Sequence, residues 1–542
     1  MFSPAGGLPG VRECPVRSGP GVPQGAWVRN HVEVTLSGLG RLAHRLDIGV
    51  RRGLDLACLA DELERLHGDS VAVTEEDTDG NVRELTYEQV ATTVRRWSAS
   101  IDARTKPGDP VVVATPNGID QLLVSLAAAR VGRLPAPVNP QMSPAEVDHV
   151  VADSQAPLVV RAGEELSKGK GARSGVPEVH RPDPGEVAAL FYTSGTTGSP
   201  KGAELTHRGL VGQLGAAALL PGLPGNRELL MGLPVAHIMG FVAVLGPMVM
   251  GLPIYFLDRF SPTRALEVIE DRRTIGFIGV PAMYRMMLEA GAEDYDLTCV
   301  RFWASGADVM PTELAREFKS FGATAELPFV GALGEATFLE GYGMVEVAGG
   351  VAAKVSPPML PVGLGDSLGV KLPGWKFRVV DESGNVVRPG RVGELQVSGP
   401  GVLRGYWGDE ENSAAVLTDD GWLRTGDLVR SGPFGTVAFH GRAKNVVVSG
   451  GYTIYPLEVE ADLEEHPDVV EAVVLGAPDA RFGESVVAAV RLRDGAKVTE
   501  DELIDWATGR MARYKAPRQV IVVDEMPHTG TRKVQRAKLL EL

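Results

Sequence analysis

The sequence predicts an α/β protein with a large N-terminal domain of parallel-type α/β sheets, a small β-barrel subdomain at that domain's end, and a small α+β C-terminal domain. Three observations carry this. Strand and helix patterns alternate through the first two thirds of the chain, the signature of repeated βα units with a sheet covered by helices. From about residue 369 to 441 the texture changes to short alternating runs broken by Gly, Pro and Asp turns. After Arg442 about a hundred residues remain, enough for an independent small domain. With 542 residues the chain exceeds what one hydrophobic core serves.

The elements follow in order. Residues 1–30 are rich in Gly and Pro, lack the apolar stretch of a secretory signal, and read as a flexible extension. The large domain is assigned to 31–441, its β-rich part to 369–441, and the small domain to 442–542. Pro110-Val-Val-Val-Ala114 reads as a buried strand, followed by a helix over Asp120 to Arg130. Ser143-Pro-Ala-Glu146 is a capping box with proline at the first helical position, opening a helix to about Asp153. Pro157 to Val160 is a short strand, Ser261-Pro262 starts a helix, Thr274 to Val280 is a strand, and Pro281 opens the next helix. Arg301 to Ser305 is a strand running into Gly306. The β-rich part carries Lys376–Val380, Gly393–Ser398 and Gly435–His440. The small domain shows helices near Leu457–Glu465 and after Thr499, with strands at Val469–Leu475, Val486–Arg491 and Gln519–Val523.

Composition excludes several classes. A net charge of −15 argues against nonspecific binding to nucleic acid or anionic membranes. Cys14, Cys58 and Cys299 are odd in number and scattered, so neither a disulfide framework nor a zinc site is expected, and a cytoplasmic location fits. Leu229 to Leu257 carries no charge, long enough to suggest a membrane span. Pro234, Pro247, Pro253 and His237 interrupt it, so it reads as buried core lining a substrate tunnel, without stable membrane insertion.

The chemistry concentrates in Tyr192-Thr-Ser-Gly-Thr-Thr-Gly-Ser-Pro-Lys201-Gly202, directly after the apolar run Val187–Phe191. Glycines turn backbone N–H groups inward, hydroxyls add donors and lysine adds charge, which suits a triphosphate. The spacing is not that of a Walker A loop. Gly341-Tyr342-Gly343 sets an aromatic face between glycines, with Glu346 four positions after the tyrosine. The ring could stack on a purine and the carboxylate could hold Mg²⁺; taken alone the motif is weak, and a buried turn tyrosine with a surface glutamate is the better reading. Asp427, in Trp422-Leu-Arg-Thr-Gly-Asp427, suits a ribose diol, or is an ordinary turn aspartate. Gly441-Arg442-Ala-Lys444 follows, then Gly450-Gly451, and finally Lys533 in a polar turn that would otherwise read as solvated surface.

Taken in this order, the motifs resemble the acyl/aryl adenylate-forming superfamily: acyl-CoA synthetases above all, with peptide-synthetase adenylation domains and firefly-type luciferases. The resemblance covers roughly residues 45 to 542. It implies that Thr193, Ser194, Gly195, Thr196, Thr197, Gly198 and Lys201 cradle the β,γ-phosphates of ATP. It implies that Tyr342, flanked by Gly341 and Gly343, stacks on adenine, that Glu346 binds Mg²⁺, and that Asp427 with Arg442 holds the ribose. Lys533 matches the lysine that a mobile small domain brings in for adenylation, and Lys444 falls at the hinge. His237 matches a gate beside an acyl pocket that includes Gly306, Ala307, Val345 and Gly349. Gly450 and Gly451 resemble backbone lining a coenzyme A tunnel.

The implied reaction is attack of a carboxylate on the α-phosphorus of ATP, giving acyl-AMP and pyrophosphate, then transfer to coenzyme A. Val345 and Arg532 depart from the family's usual threonine and glycine. Alternatives are delivery of the acyl-AMP to a carrier-protein thiol or partner enzyme, and a lapsed protein that only binds nucleotide or acyl ligand. Val, Met, Ala and Gly dominate the stretches expected to form the acyl pocket, and no basic residue lies within them. A bulky hydrophobic acid (fatty, aryl or polycyclic) is therefore expected, as are ATP, Mg²⁺ and coenzyme A; a homodimer is considered as the assembly.

Overall fold

The computed structural model describes residues 44–49, 54–168, 175–193, 200–219, 227–327, 329–359, 367–432, 435–479, 481–527 and 534–539. A nine-stranded sheet dominates. Its middle is parallel, in the spatial order Thr337–Met344, Phe302–Gly306, Gly276–Gly279, Leu229–Met231, Ile254–Leu257 and Val71–Glu76. Antiparallel strands close both edges: Gly349–Ser356 and Val370–Lys371 on one side, Val82–Thr86 on the other. Strands covered on both faces need continuous apolar runs, and Leu229–Met231 and Ile254–Leu257 are buried throughout.

The charge-free stretch is divided between these two strands and the helix Ile238–Met250. No helix among the described residues is long and apolar enough to cross a membrane. Helix starts follow their local chemistry. Ser143 and Thr499 make capping boxes with Glu146 and Glu502, and Ser261 caps a helix whose first residue is Pro262.

A second, three-stranded parallel sheet runs Leu134–Pro137, Pro110–Val113, Leu158–Val160. The glycine- and hydroxyl-rich loop would stand at the carboxyl end of a parallel strand if the βα pattern continued. Instead it joins the two antiparallel strands Val187–Thr193 and Lys201–Thr206. The alternating, half-buried segment after Lys201 is what makes the return strand.

The four antiparallel strands Lys376–Val380, Val392–Ser398, Leu423–Ser431 and Val437–Arg442 form the β-rich part. Beyond Arg442 lies a five-stranded sheet with its own apolar core, packed under the helices Pro456–Glu464 and Glu500–Arg510. It meets the large sheet's side chiefly through charge. Arg285, on the helix Pro281–Glu289, approaches Glu471 at 3.5 Å and Glu464 at 3.7 Å, while Arg491 meets Glu289 at 2.9 Å.

Below the carboxyl ends of the parallel strands sits an aromatic cluster. Phe318 packs edge-on against Tyr284 (centroids 4.8 Å apart) and Trp303 (5.0 Å), and the Tyr284 hydroxyl donates to the Ala304 carbonyl at 2.8 Å. Edge-to-face packing of this kind adds to plain burial. The strands of this cluster end next to the cavity, which Val280 and Gly306 line.

Candidate active site

The cavity measures about 2880 Å³. That is well beyond the roughly 300–1000 Å³ of a single small-ligand pocket, so it has room for more than one ligand. Its walls come from the hairpin, the carboxyl ends of the parallel strands, the four-stranded sheet and the C-terminal segment.

Thr193 and Lys201 face each other as register partners at the base of the hairpin and line the cavity. Ser194, Gly195, Thr196, Thr197 and Gly198, between them, lie outside the described residues. Tyr342 stands on the strand Thr337–Met344, where a bulge lies between it and Gly343. Any side chain at Gly343 would bring its Cβ to 1.7 Å from the Gly349 carbonyl oxygen, which restricts the position to glycine. Gly341 pairs with Gly306 across the parallel ladder, and both line the cavity.

The Tyr342 hydroxyl donates to Oδ2 of Asp427 at 2.5 Å, and Arg442 Nε contacts Oδ1 of the same carboxylate at 2.6 Å. Burial, reinforced by the neighbouring Asp427 charge, pushes the Tyr342 phenol well above its usual range, so it remains a donor. Asp427 and Arg442 are register partners on adjacent antiparallel strands, which brings their side chains together. Glu346 sits in the short turn Val345–Val347, with its Oε1 accepting from the Tyr406 hydroxyl at 3.0 Å. Among the described residues no group of three or more His, Cys, Asp or Glu is placed to hold a metal ion. A lone carboxylate fits an ion that takes its other ligands from phosphate and water, the usual habit of Mg²⁺.

His237 caps the helix Ile238–Met250, its Nδ1 accepting from the Met239 N–H at 3.3 Å. With Met239, Val242, Gly306, Ala307, Val345 and Gly349 it borders the apolar side of the cavity. Ala307 adopts φ +66°, a left-handed conformation that a residue with a Cβ enters at a cost.

Two charged pairs also line the cavity, which the pocket stretches did not signal. Lys354 Nζ meets Glu340 Oε1 at 2.9 Å across the ladder, and Arg285 faces Glu464 and Glu471. Each cation is thus matched by a carboxylate of the protein itself. Tyr406, Lys354 and Arg285 lie outside every motif of the sequence, and Glu340, though it directly precedes Gly341-Tyr342-Gly343, gains its partner Lys354 only across the ladder.

Lys444 lies in the turn Ala443–Asn445 and lines the cavity. Val534, Gln535, Arg536 and Lys538 do so as well. The Gln535 N–H donates to the Pro527 carbonyl at 2.7 Å and joins the described stretches on either side of the segment that contains Arg532 and Lys533. Those two residues lie outside the described ones. Arg536 is anchored to Glu460 at 2.8 Å and to the Val474 carbonyl at 2.6 Å. Gly450 and Gly451 are not brought to the cavity. They form an exposed turn between Val447–Ser449 and Tyr452–Ile454, at φ +57° and +82°.

Residues 60–407 match the AMP-binding enzyme family, and residues 458–533 match the AMP-binding enzyme C-terminal domain. The chain is 32% identical over 481 residues to a feruloyl-CoA synthase of Amycolatopsis sp, covering 84% of this chain and 93% of that protein. It is 34% identical over 366 residues to a long-chain-fatty-acid–CoA ligase of Bacillus subtilis, covering 66% and 62% respectively. Among solved structures, ATP-bound MatB from Rhodopseudomonas palustris superimposes with a TM-score of 0.78 at 28% identity, covering 90% of this chain and 99% of that one.

Proposed function

The chain belongs to the AMP-binding enzyme family, and from that premise we propose that it activates a bulky apolar monocarboxylic acid with ATP to acyl-AMP and pyrophosphate, then transfers the acyl group to coenzyme A. The observation that supports this reading most is convergence. Thr193, Lys201, Tyr342, Glu346, Asp427, Arg442 and Val534, the residue after Lys533, all border one cavity.

The proposed roles follow from the chemistry of each group. Asp427, with Arg442 beside it, accepts from the ribose hydroxyls, and the Tyr342 ring offers a face to adenine. Lys201 and the hairpin loop grip the β,γ-phosphates. Glu346 would hold Mg²⁺, which when bound neutralises phosphate charge. Lys533 would place an ammonium group on the α-phosphate, where negative charge collects as the acid's oxygen attacks and pyrophosphate departs. His237 and the Gly306–Ala307 backbone would border the acid. The matched charges of Glu340 with Lys354, and of Arg285 with its carboxylates, favour an apolar acid over one carrying a second anion. Two relatives bear the names of apolar acids, feruloyl and long-chain fatty.

The second half-reaction asks for another orientation of the C-terminal domain. With Val534 to Arg536 on the cavity wall and Gly450 and Gly451 turned outward, the present arrangement suits adenylation. Rotation about Lys444 would withdraw the lysine loop and bring the glycine turn inward to pass the pantetheine arm.

A panel of aryl, fatty and polycyclic acids, assayed for acid-dependent pyrophosphate release and then for thioester on adding coenzyme A, tests the reading. Apolar monocarboxylates should be turned over. Preference for a dicarboxylate would reject the substrate class, and pyrophosphate without thioester would reject the second step.

A further inference from the structure

Residues Leu403 to Trp407 form a strap between two parts of the site. On one side the strap is stitched to the strand that leaves the hairpin loop. The Trp407 N–H donates to the Gly202 carbonyl at 2.7 Å, and the Glu204 N–H donates to the Gly405 carbonyl at 2.9 Å. On the other side the Leu403 N–H donates to the backbone carbonyl of Glu346 at 2.8 Å.

Tyr406 lies in the middle of the strap and uses both ends of its side chain. Its hydroxyl donates to Glu346 Oε1 at 3.0 Å, and its ring has Lys201 Nζ 5.8 Å from the centroid. The latter lies within the range in which a cation is drawn to an aromatic face. The Tyr406 N–H in turn donates to Ser413 Oγ at 2.7 Å, which fixes where the ring starts.

We propose that Tyr406 is a positioning residue that sets the Glu346 carboxylate and the Lys201 ammonium in register, so that one nucleotide triphosphate with its divalent cation meets both at once. The proposal rests on the reading of Glu346 and Lys201 given under Proposed function. The two residues stand on separate elements about 145 positions apart, and Tyr406 meets both side chains. A glutamate free to change rotamer would meet the cation only part of the time. The hydroxyl removes that freedom, as partners behind a metal ligand generally do, and loss of such a partner costs about tenfold in metal affinity. The ring contact is a separate lever, acting on phosphate grip rather than on the ion.

Two variants separate the levers. Tyr406→Phe keeps the ring and deletes the hydroxyl, whereas Tyr406→Leu deletes both. The readouts are Mn²⁺ binding to the enzyme with ATP and no acid, followed by electron paramagnetic resonance, and acid-dependent pyrophosphate release as Mg²⁺ is titrated. Tyr406→Phe should weaken Mn²⁺ binding and raise the half-saturating Mg²⁺ by about tenfold, with the rate restored at saturating metal. Tyr406→Leu should add a rise in the ATP KM of roughly threefold that metal does not restore.

An unchanged metal curve in Tyr406→Phe, with the rate lowered at every metal concentration, would overturn the proposal. Thermal melting of both variants separates a folding loss from either result. If the wild-type protein itself binds no Mn²⁺–ATP, the assignment of Glu346 and Lys201 falls, and Tyr406 falls with it.

Discussion

Asp427 and Arg442 stand opposite each other on adjacent antiparallel strands, with Nε 2.6 Å from Oδ1 and the aspartate only 1% exposed. The pair is unequal: the carboxylate is almost wholly covered at the cavity wall while the guanidinium keeps 39% of its surface. Removing the arginine therefore leaves a buried charge without its cation, a larger loss than breaking a surface pair. Arg442→Ala should destabilise the chain by on the order of 2 kcal/mol, below the cost for a fully buried pair because Arg442 is partly solvated. Denaturant unfolding with an unchanged m-value checks this, and ATP binding should weaken in the same variant.

The Gln535–Pro527 hydrogen bond joins the described stretches on either side of the segment that carries Lys533, and Gln535 lines the cavity. Lys533→Ala should lower acid-dependent pyrophosphate release by about a hundredfold or more, the scale of losing a group that stabilises developing charge. Thioester formation from supplied acyl-AMP should change little. Near-normal adenylate formation by this variant would refute the role.

Arg285 and Arg491 hold the C-terminal sheet against the helix Pro281–Glu289 through pairs of 2.9 to 3.7 Å. Each is partly exposed, so each contributes about 1 kcal/mol or less. Between two orientations of similar energy even that shifts the balance. The Arg285→Ala, Arg491→Ala double variant should slow adenylation by roughly tenfold at most while leaving thioester formation intact. Equal losses in both half-reactions, measured separately, would show that these pairs support the fold and not the orientation.

His207 is buried, and its Nδ1 accepts from the Leu56 N–H at 3.1 Å. Burial pulls the imidazole down from 6.5 to about 4, with nearby Glu186 opposing the shift. Below the unfolded value the unfolded chain takes up a proton that the native chain refuses. Stability therefore falls as the pH drops from 6.5 toward 4. The slope of this contribution is about 1.4 kcal/mol per pH unit at its steepest. In His207→Asn that contribution should vanish, so the stability difference between variant and wild type should narrow or reverse across this window. Parallel curves in urea unfolding at stepped pH would count against it.

What could be read before any fold was known was local. The capping boxes at Ser143 and Thr499, the start at Pro262 and the strand Lys376–Val380 appear where sequence rules place them, because caps and periodicity act over a few residues. Tyr342, Asp427 and Arg442 could be picked out as candidates since each lies in a short glycine-bearing turn or strand end. The hairpin form of the phosphate-type loop escaped the βα expectation, because strand direction depends on which partner the return segment finds.

Tertiary structure alone decided the partnerships. The Tyr342–Asp427 contact joins residues 85 positions apart and Tyr406–Glu346 joins residues 60 apart. The first joins strands of two different sheets and the second joins a loop to a short turn, so packing between elements sets both, and no window of sequence records it. The outward turn of Gly450 and Gly451, with Arg536 held inward by Glu460, belongs to the same class. Chemistry of single residues is written in the chain; the distances between them arise only once the sheets have paired.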